Sequence, residues 1–382
     1  MTPATRECLG LLLVVALGTL GPIGCVSGDL PLRPILTDDG GDGGMCSPSD
    51  LQQDNANCGA CGYACVNGRT CSAGRCTPAW LPVTSVGAPP DRYRHTAATI
   101  SGRVLISGGT AVSNVGAFGD SYFYDPSTDV WAQGPALNQA RCAHNSVSGG
   151  GKAYVFGGLT DCSDGYATGP GTEVYDPSVG SWQILDATNP PTPRYDGSAV
   201  WTPTNELLIF GGGGSGFGRT ASGALLNGTS WDDASCNLTE CCTGFATLLA
   251  LDSDTIVAWG GDQLNPLGCS GPFLPAKLTL SSGTWTRWTP PAGSPTGPVQ
   301  YADDGERWYA LDDDASGCPS QTTVQMFNKM TGTWMSDQSP APSGIDVGDA
   351  TNHTVWTGAE LFTWSAACAQ PGVGGRYQPP AP

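Results

Sequence analysis

The sequence has few charged residues, few histidines and no long stretch with helical amphipathic spacing. Only 13% of its 382 residues are charged, with 16 Lys and Arg against 34 Asp and Glu. The net charge of −18 repels polyanions, which argues against nucleic acid as a partner. It has 3 histidines and no Gly-x-Ser-x-Gly elbow, phosphate loop or His-rich zinc motif. The familiar nucleophilic, nucleotide-dependent and zinc-dependent enzymes therefore find no support.

Glycine and proline, in contrast, are abundant, at 55 and 31 residues. They separate short apolar runs throughout the chain, together with Asn and Asp. This punctuation predicts all-β structure with many tight turns. The 16 cysteines are not needed to compensate for a small core, because the chain is long enough to bury a large one.

The N-terminus has the pattern of an export signal. Arg6 precedes an apolar run over residues 9–20, which is too short to span a bilayer comfortably but suits a signal-peptide core. Residues 21–24 are small or apolar and precede Cys25, which resembles a bacterial lipobox. We expect residues 1–24 to be removed and Cys25 to carry a lipid, with cleavage without lipidation as the alternative. Either route exposes the cysteines to oxidising conditions.

The export signal implies a bacterial outer-membrane or cell-surface lipoprotein, or otherwise a periplasmic or secreted protein. Residues 25–45 include an Asp- and Gly-rich run at 38–44 and are predicted to be a flexible acidic tether. A calcium loop is the competing interpretation of that run. It is disfavoured because the EF-hand ligand positions are not filled and no Glu closes the loop.

Residues 46–77 form a predicted cysteine module. Six cysteines in so short a segment cannot surround a hydrophobic core, so cross-links must hold it. The cysteines are Cys46, Cys58, Cys61, Cys65, Cys71 and Cys76. Disulfides are favoured over zinc because no His lies nearby, but the pattern does not choose among the possible pairings. Residues 57–65 resemble the stigma-specific-protein-like cysteine modules of exported myxobacterial proteins, a resemblance that implies no activity.

The remainder, residues 78–382, contains a repeat with three signals in a constant order. An R-x-x-H element opens a strand at Arg92 to His95 and Arg141 to His144, and Arg194 starts a third copy that ends in Gly197. A second strand then ends in a glycine pair, at Gly108 and Gly109, Gly157 and Gly158, Gly211 and Gly212, and Gly260 and Gly261. A turn finally leads into a tryptophan, at Trp131, Trp182, Trp231, Trp285 and Trp334.

These tryptophans are separated by 51, 49, 54 and 49 residues, close to the length of one four-stranded kelch blade. The repeat resembles kelch repeats of the galactose-oxidase-like propeller superfamily. We predict six blades, with a worn fifth copy whose glycine pair is replaced by Asp312 and Asp313. The sixth copy ends before its tryptophan, so Trp80 at the other end should supply the last strand and close the ring. The glycines should allow close backbone approach, and each Trp should fill the wedge between blades.

Consecutive antiparallel strands place the connections after second and fourth strands on one face, and all eight propeller cysteines fall there. They are Cys142, Cys162, Cys236, Cys241, Cys242, Cys269, Cys318 and Cys368. The distribution permits the pairs Cys142–Cys162, Cys242–Cys269 and Cys318–Cys368. Long loops on a rigid ring suit ligand recognition, although the disulfides alternatively serve only to staple the loops against proteolysis.

No catalytic residue is assigned. His95, His144 and His353 occupy one repeat position and are interpreted as blade-packing residues. Arg92, Arg141 and Arg194 are expected to bond backbone carbonyls between blades. The acidic runs at 303–304 and 312–314 have no recognisable ligand spacing, so we expect solvated loops and neither metal nor cofactor.

The function favoured is a non-enzymatic, monomeric binding scaffold of the cell envelope, which meets the membrane only through its lipid. Its cysteine-bearing face would present a surface to a protein or glycan. The alternative is a secreted carbohydrate-active enzyme with acidic residues in the central funnel. A purely structural envelope protein is the third possibility.

Overall fold

In the computed structural model, described residues fall between Cys46 and Ala381. They are residues 46–111, 116–163, 169, 171–214, 220–238, 247–259, 275–295, 299–313, 322–342, 345, 354–365 and 372–381. The described part of the chain has one helix, the four-residue α1 (Asp50–Gln53). Among these residues, no helix has the length and apolar character that crossing a membrane requires.

The cysteine module contains α1 and a two-stranded antiparallel sheet, β1 (Thr70–Ser72) and β2 (Arg75–Thr77). Three disulfides hold it together: Cys46–Cys61, Cys58–Cys71 and Cys65–Cys76. The module and the sheets that follow belong to one compact unit, Cys46–Pro382.

Six four-stranded antiparallel sheets follow the module and form the blades of a β-propeller, as the repeat predicts. Blades 1 to 3 consist of β4 (Thr96–Ile100), β5 (Arg103–Ser107), β6 (Ser121–Asp125), β7 (Val130–Gln133), β8 (Asn145–Gly149), β9 (Lys152–Phe156), β10 (Thr172–Asp176), β11 (Ser181–Ile184), β12 (Ser198–Trp201), β13 (Leu207–Phe210), β14 (Gly223–Asn227) and β15 (Ser230–Asp233).

Blades 4 and 5 contain β16 (Thr247–Asp252), β17 (Thr255–Trp259), β18 (Ala276–Thr279), β19 (Thr284–Arg287), β20 (Val299–Asp303), β21 (Arg307–Asp313), β22 (Thr322–Asn328) and β23 (Thr333–Asp337). Blade 6 combines β24 (Thr354–Trp356), β25 (Leu361–Ser365) and β26 (Val373–Tyr377) with β3 (Trp80–Pro82). The first strands of neighbouring blades lie side by side around the centre of the ring.

The ring closes through the N-terminal strand β3, which confirms the closure predicted from Trp80. Trp80 pairs with Tyr377 in antiparallel register, and their rings lie 5.1 Å apart between centroids. On either side, the Gln378 amide donates to the Ala79 carbonyl at 2.9 Å, and the Val83 amide to the Gly374 carbonyl at 3.1 Å. Both ends of the propeller chain therefore contribute to one sheet, which removes the edges that an open ring would expose.

Each interface between neighbouring blades contains one hydrophobic cluster, and each cluster includes one of the repeat tryptophans. Trp131 illustrates the arrangement: its ring meets Trp364 of blade 6 at 5.0 Å and Tyr124 of its own blade at 4.9 Å. The same wedge position is taken by Trp80, Trp182, Trp231, Trp285 and Trp334. Burial of such a ring contributes about 1.5–3 kcal/mol, so these side chains dominate the packing between blades.

Blade 5 differs from the first three blades where its second strand ends. β21 continues through Asp312 and Asp313, which pair with β22, at the position where the other copies have a glycine pair. Residues with a Cβ atom disfavour the left-handed backbone of that pair, so the strand extends instead of turning. Gly260 and Gly261 of blade 4 lie outside the described residues.

Candidate functional site

The candidate site is the end of the ring that carries the connections after the second and fourth strands, here called the loop face. Its framework begins with the repeat arginines. Arg92 donates to the Gly108 carbonyl at 2.8 Å and forms a two-pronged ion pair with Asp120, at 2.8 and 3.0 Å. Arg141 likewise donates to the Gly157 carbonyl and pairs with Glu173.

The third repeat arginine follows the same plan. Arg194 donates to the Gly211 carbonyl at 3.3 Å and to the Ser222 carbonyl at 2.9 Å. The acceptors of all three arginines lie within the arginine's own blade. The prediction that these side chains bond carbonyls between blades was therefore wrong. The carbonyls they bond belong to their own blade, because each guanidinium reaches back across its own sheet. Each one joins the start of a first strand to the loop between second and third strands.

The third position of each R-x-x-H element makes the connection between blades instead. Arg94, Ala143 and Asp196 have φ values of 52°, 53° and 51°, a region that L residues rarely adopt. The Ala143 amide donates to the Arg94 carbonyl, and the Asp196 amide to the Ala143 carbonyl, both at 2.9 Å. These bonds link blades 1, 2 and 3 at the inner end of the loop face, where their first strands begin.

Two of these residues also bring opposite charges together. The Arg94 guanidinium lies 3.8 Å from the carboxylate of Asp196; the Arg94 side chain is 32% exposed and that of Asp196 only 2%. The buried carboxylate of Asp196 therefore lies beside an arginine side chain that is partly exposed. A guanidinium presented in this way suits recognition of carboxylate or carbonyl oxygens.

The glycine pairs determine how closely the blades meet below this face. In blade 1 both members have positive φ, 61° at Gly108 and 98° at Gly109. A Cβ on Gly108 would lie 2.4 Å from the Arg141 carbonyl of the next blade, and one on Gly109 would lie 2.9 Å from the Cβ of His95. Gly157, Gly158, Gly211 and Gly212 share the left-handed conformation.

The glycine pair also anchors the loop that follows it. The carbonyl of the second glycine accepts a backbone hydrogen bond from the returning end of the loop in blades 1 and 3. The bonds are Phe118 to Gly109 at 2.7 Å and Thr220 to Gly212 at 3.0 Å. Each of these loops therefore starts and finishes on rigid, buried backbone, which is the arrangement expected of a scaffold that displays loops.

The histidines of the repeat pack between blades. Nε2 of His95 lies 2.9 Å from the Trp364 carbonyl of blade 6, and Nε2 of His144 lies 2.8 Å from Oγ1 of Thr96 in blade 1. Both rings are buried. Burial, together with the nearby Arg141 charge, holds the pKa of His144 well below its ordinary value of 6.5. His353 lies outside the described residues.

One disulfide of the loop face joins two described cysteines. Cys142, beside the R-x-x-H arginine of blade 2, is bonded to Cys162 in the loop after β9. Cys236 is also disulfide-bonded. The other propeller cysteines are outside the described residues, so the pairs Cys242–Cys269 and Cys318–Cys368 remain predictions, as does any role for Cys241.

The acidic run of blade 5 is largely neutralised by its own neighbours. Asp303 pairs with Nζ of Lys329 at 2.7 Å, and Asp304 pairs with Nε of Arg307 at 3.2 Å. Asp304 also accepts from the Tyr309 hydroxyl at 2.6 Å. These carboxylates therefore stabilise the turn between the first two strands of blade 5, at the end of the ring opposite the loop face. The side chains of residues 312–314 are not among those described.

Sequence reasoning missed the partners of the repeat arginines. Asp120 and Ser222 each stand one residue before a third strand, and Glu173 is the second residue of β10. A polar residue at the start of each third strand was a detectable signal. It was overlooked because its identity changes from blade to blade.

Comparison with known proteins identifies the repeat of blade 1. Residues 91–138 match the Kelch motif. The matched segment runs from the residue before Arg92 to the connection that follows Trp131, so it includes every repeat element of that blade. The arginine bridge and the glycine pair described above therefore belong to a Kelch repeat.

Curated relatives are similar to this chain over part of their length. The chain is 30% identical over 142 residues to Kelch-like protein 15 of Danio rerio, covering 32% of this chain and 23% of the relative. It is 33% identical over 176 residues to Adagio-like protein 1 of Oryza sativa subsp. japonica, covering 40% and 27%. The alignments thus span about a quarter of the relatives' length.

Proposed function

We propose that this protein is a non-enzymatic binding scaffold that uses the loop face of its propeller to hold a protein or glycan ligand. Kelch-repeat relatives suggest a protein-interaction scaffold. The observation that carries the proposal is the way blades 1 to 3 build this face. Buried arginines and left-handed backbone fix the loop ends, and the partly exposed side chain of Arg94 lies beside the buried Asp196.

The face has the properties of a recognition surface with a rigid base. The loop ends cost little entropy on binding, because their backbone hydrogen bonds already exist in the free protein. The loops between them are free to differ from blade to blade without disturbing the ring. Arg94 would supply a charge-assisted hydrogen bond to an acceptor on the ligand, and such a bond is among the stronger polar contacts at an interface.

The experiment compares ligand capture by two charge-reversal variants on opposite faces. Arg94→Glu changes the loop face, and Arg103→Glu changes the turn between β4 and β5 at the other end of blade 1. Proteins cross-linked to the full chain in an envelope fraction would be identified by mass spectrometry. Glycans bound on an array would be detected by fluorescence. We expect Arg94→Glu to lose the ligand and Arg103→Glu to keep it. The reverse pattern, or equal retention by both variants, would contradict the loop-face assignment.

We further propose that the scaffold is an exported bacterial lipoprotein anchored through Cys25. The support is the signal-like run over residues 9–20 and the small residues before Cys25. Cells supplied with a fatty-acid analogue should label the wild-type protein, and Cys25→Ser should abolish the label. Cys46→Ser is a suitable control because it removes another early cysteine outside the lipobox. Labelling that persists in Cys25→Ser would refute the anchor.

A further inference from the structure

The cysteine module makes a buried polar junction with blade 6. Glu360, in the turn between β24 and β25, lies at its centre, and its side chain is 1% exposed. Nη2 of Arg69 lies 3.2 Å from Oε2 of Glu360, and Nδ2 of Asn67 donates to the same oxygen at 3.0 Å. Arg376 approaches Oε1 of Glu360 at 3.5 Å from β26. Two cations and an amide therefore share one buried carboxylate.

Arg69 is tied to blade 6 through two further acceptors. Its Nη1 donates to the side-chain oxygen of Gln378 at 3.1 Å, and its Nη2 donates to the Arg376 carbonyl at 3.0 Å. The Arg69 side chain is fully buried. A guanidinium with several protein acceptors in fixed directions has few alternative positions, so it orients the module on the sheet.

A second group of contacts reaches the outer strand of blade 5. Arg75 forms an ion pair with Asp337 at the end of β23, and Asp337 also accepts from the hydroxyl of Tyr377 in β26. The same carboxylate thus connects the module, blade 5 and blade 6. Nearby, the Tyr63 hydroxyl donates to the Pro379 carbonyl, and the Gln378 amide group donates to the Ala64 carbonyl at 2.9 Å.

The junction extends across the ring closure to blade 1. Nη1 of Arg376 donates to the Pro126 carbonyl at 2.7 Å, and Pro126 belongs to the turn between β6 and β7. The module itself therefore contacts blades 5 and 6, and Arg376, which shares Glu360 with the module, continues the contacts to blade 1. These are the blades on either side of the strand that joins the two ends of the propeller chain.

We propose that the cysteine module is a lock on the propeller ring, holding closed the blade that the N-terminal strand completes. The closing strand β3 has only three residues and offers few hydrogen bonds of its own. The module lies directly before β3 in the chain, because β2 ends at Thr77 and β3 begins at Trp80, three residues later. The Cys65–Cys76 disulfide encloses both Arg69 and Arg75, so one cross-link maintains the two arginines that grip blades 5 and 6. This inference does not depend on the proposed ligand.

The test measures hydrogen exchange in the full chain with one disulfide removed at a time. Cys65→Ser/Cys76→Ser opens the module, and Cys142→Ser/Cys162→Ser is the matched control in blade 2. Exchange would be followed by mass spectrometry in fragments covering residues 80–83 and 373–378, with residues 207–227 of blade 3 as an internal reference. We expect the module variant to accelerate exchange at the closure about tenfold or more, with blade 3 unchanged. The control should leave closure exchange within about twofold of wild type.

A milder variant keeps the test decisive if the module variant does not fold. Asn67→Ala/Arg75→Ala retains all disulfides and the buried Arg69 while removing one contact to Glu360 and the ion pair to Asp337. We expect closure exchange to rise about threefold in this variant, without change in blade 3. Wild-type protection at residues 80–83 and 373–378, in a folded variant of either kind, would overturn the lock.

Discussion

Blades 1 to 3 and the closure region solve the same problem with different chemistry. Between blades 1 and 2, His144 is bonded to Thr96, and the Gly109 amide donates to the Arg141 carbonyl. At the closure, Glu360 of blade 6 and Asp337 of blade 5 form ion pairs with the cysteine module, and Arg376 pairs with Glu360 within blade 6. The first interface is built from repeated elements, whereas the closure adds contacts that occur once to the same wedge tryptophans.

The difference teaches where a ring made of repeats needs additional support. At each repeated interface the two blades are joined covalently, since the chain leads directly from one blade into the next. At the closure, β26 and β3 come from opposite ends of the propeller segment and meet in one sheet without a direct connection along the chain. Charged groups with several fixed partners specify one arrangement of those ends, although buried ion pairs contribute modestly to net stability.

The largest effect should come from adding one carbon to a repeated interface. A Cβ on Gly157 would lie 2.0 Å from the Arg194 carbonyl, and this glycine has a φ of 65°. We expect Gly157→Ala to lower the free energy of unfolding by about 3 kcal/mol or more, since overpacking adds to backbone strain. Urea denaturation followed by tryptophan fluorescence would measure it.

Gly151→Ala is the matched control, because Gly151 has a φ of 74° but nothing within 4 Å of its added Cβ. Its cost should be about 1 kcal/mol, from the left-handed backbone alone. Equal losses in the two variants would show that the close contact between blades contributes nothing.

The second prediction compares two buried carboxylates directly. Glu360→Gln leaves Arg69 and Arg376 without an anion, whereas Glu173→Gln leaves only Arg141. We expect a loss of about 3 kcal/mol for Glu360→Gln, because uncompensated buried charges are costly, and a smaller loss for Glu173→Gln. Thermal unfolding of both variants would decide. A larger loss for Glu173→Gln would mean that the repeated arginine bridge within a blade depends more on charge than the closure does.

The third prediction concerns pH and the repeated interface. The pKa of His144 is lowered in the folded protein, so the unfolded state takes up a proton that the folded state excludes. The stability from neutral His144 is fully present above its ordinary pKa of 6.5 and is lost as pH falls below that value. Compared with His144→Gln, wild-type protein should lose up to about 1.4 kcal/mol more per pH unit below this point. If the free energies of unfolding of the two proteins changed in parallel with pH, the result would contradict this account.

The smallest effect is expected at a surface ion pair of blade 2. Nζ of Lys152 lies 2.9 Å from Asp176, but the lysine side chain is 42% exposed. Lys152→Ala should change the free energy of unfolding by less than about 1 kcal/mol, because solvent screens such pairs. A loss as large as that of Glu173→Gln would show that burial does not distinguish these interactions.

The difference between the repeated interfaces and the closure also explains how much of the fold was predictable. The tryptophan spacing and the truncated last copy predicted six blades and closure by Trp80, because packing between blades imposes one residue type at one interval. The arginines were recognised as structural, but their carbonyl partners were placed in the wrong blade. Sequence order alone does not show which way a long side chain turns at the end of a strand.

The closure contacts were not predicted because nothing in the sequence repeats them. Arg69 and Glu360 are separated by most of the chain, and neither stands in a recognisable motif. The cysteine module was anticipated as a cross-linked segment, but its spacing carries no information about the surface on which it packs. The loop face shares this limit: the repeat identifies the residues that anchor the loops, whereas the sequences of the loops themselves do not repeat.

The most direct test is the hydrogen exchange of the closing strand in the unmodified full chain. The amides of Val83 and Gln378 are bonded across β3 and β26, so they report on closure itself. The account predicts protection of residues 80–83 and 373–378 comparable to that of β9 in blade 2, with exchange only through sub-global opening. Exchange of residues 80–83 at the rate of an unstructured segment, in a chain whose other blades remain protected, would show that the ring is not closed by its N-terminal strand.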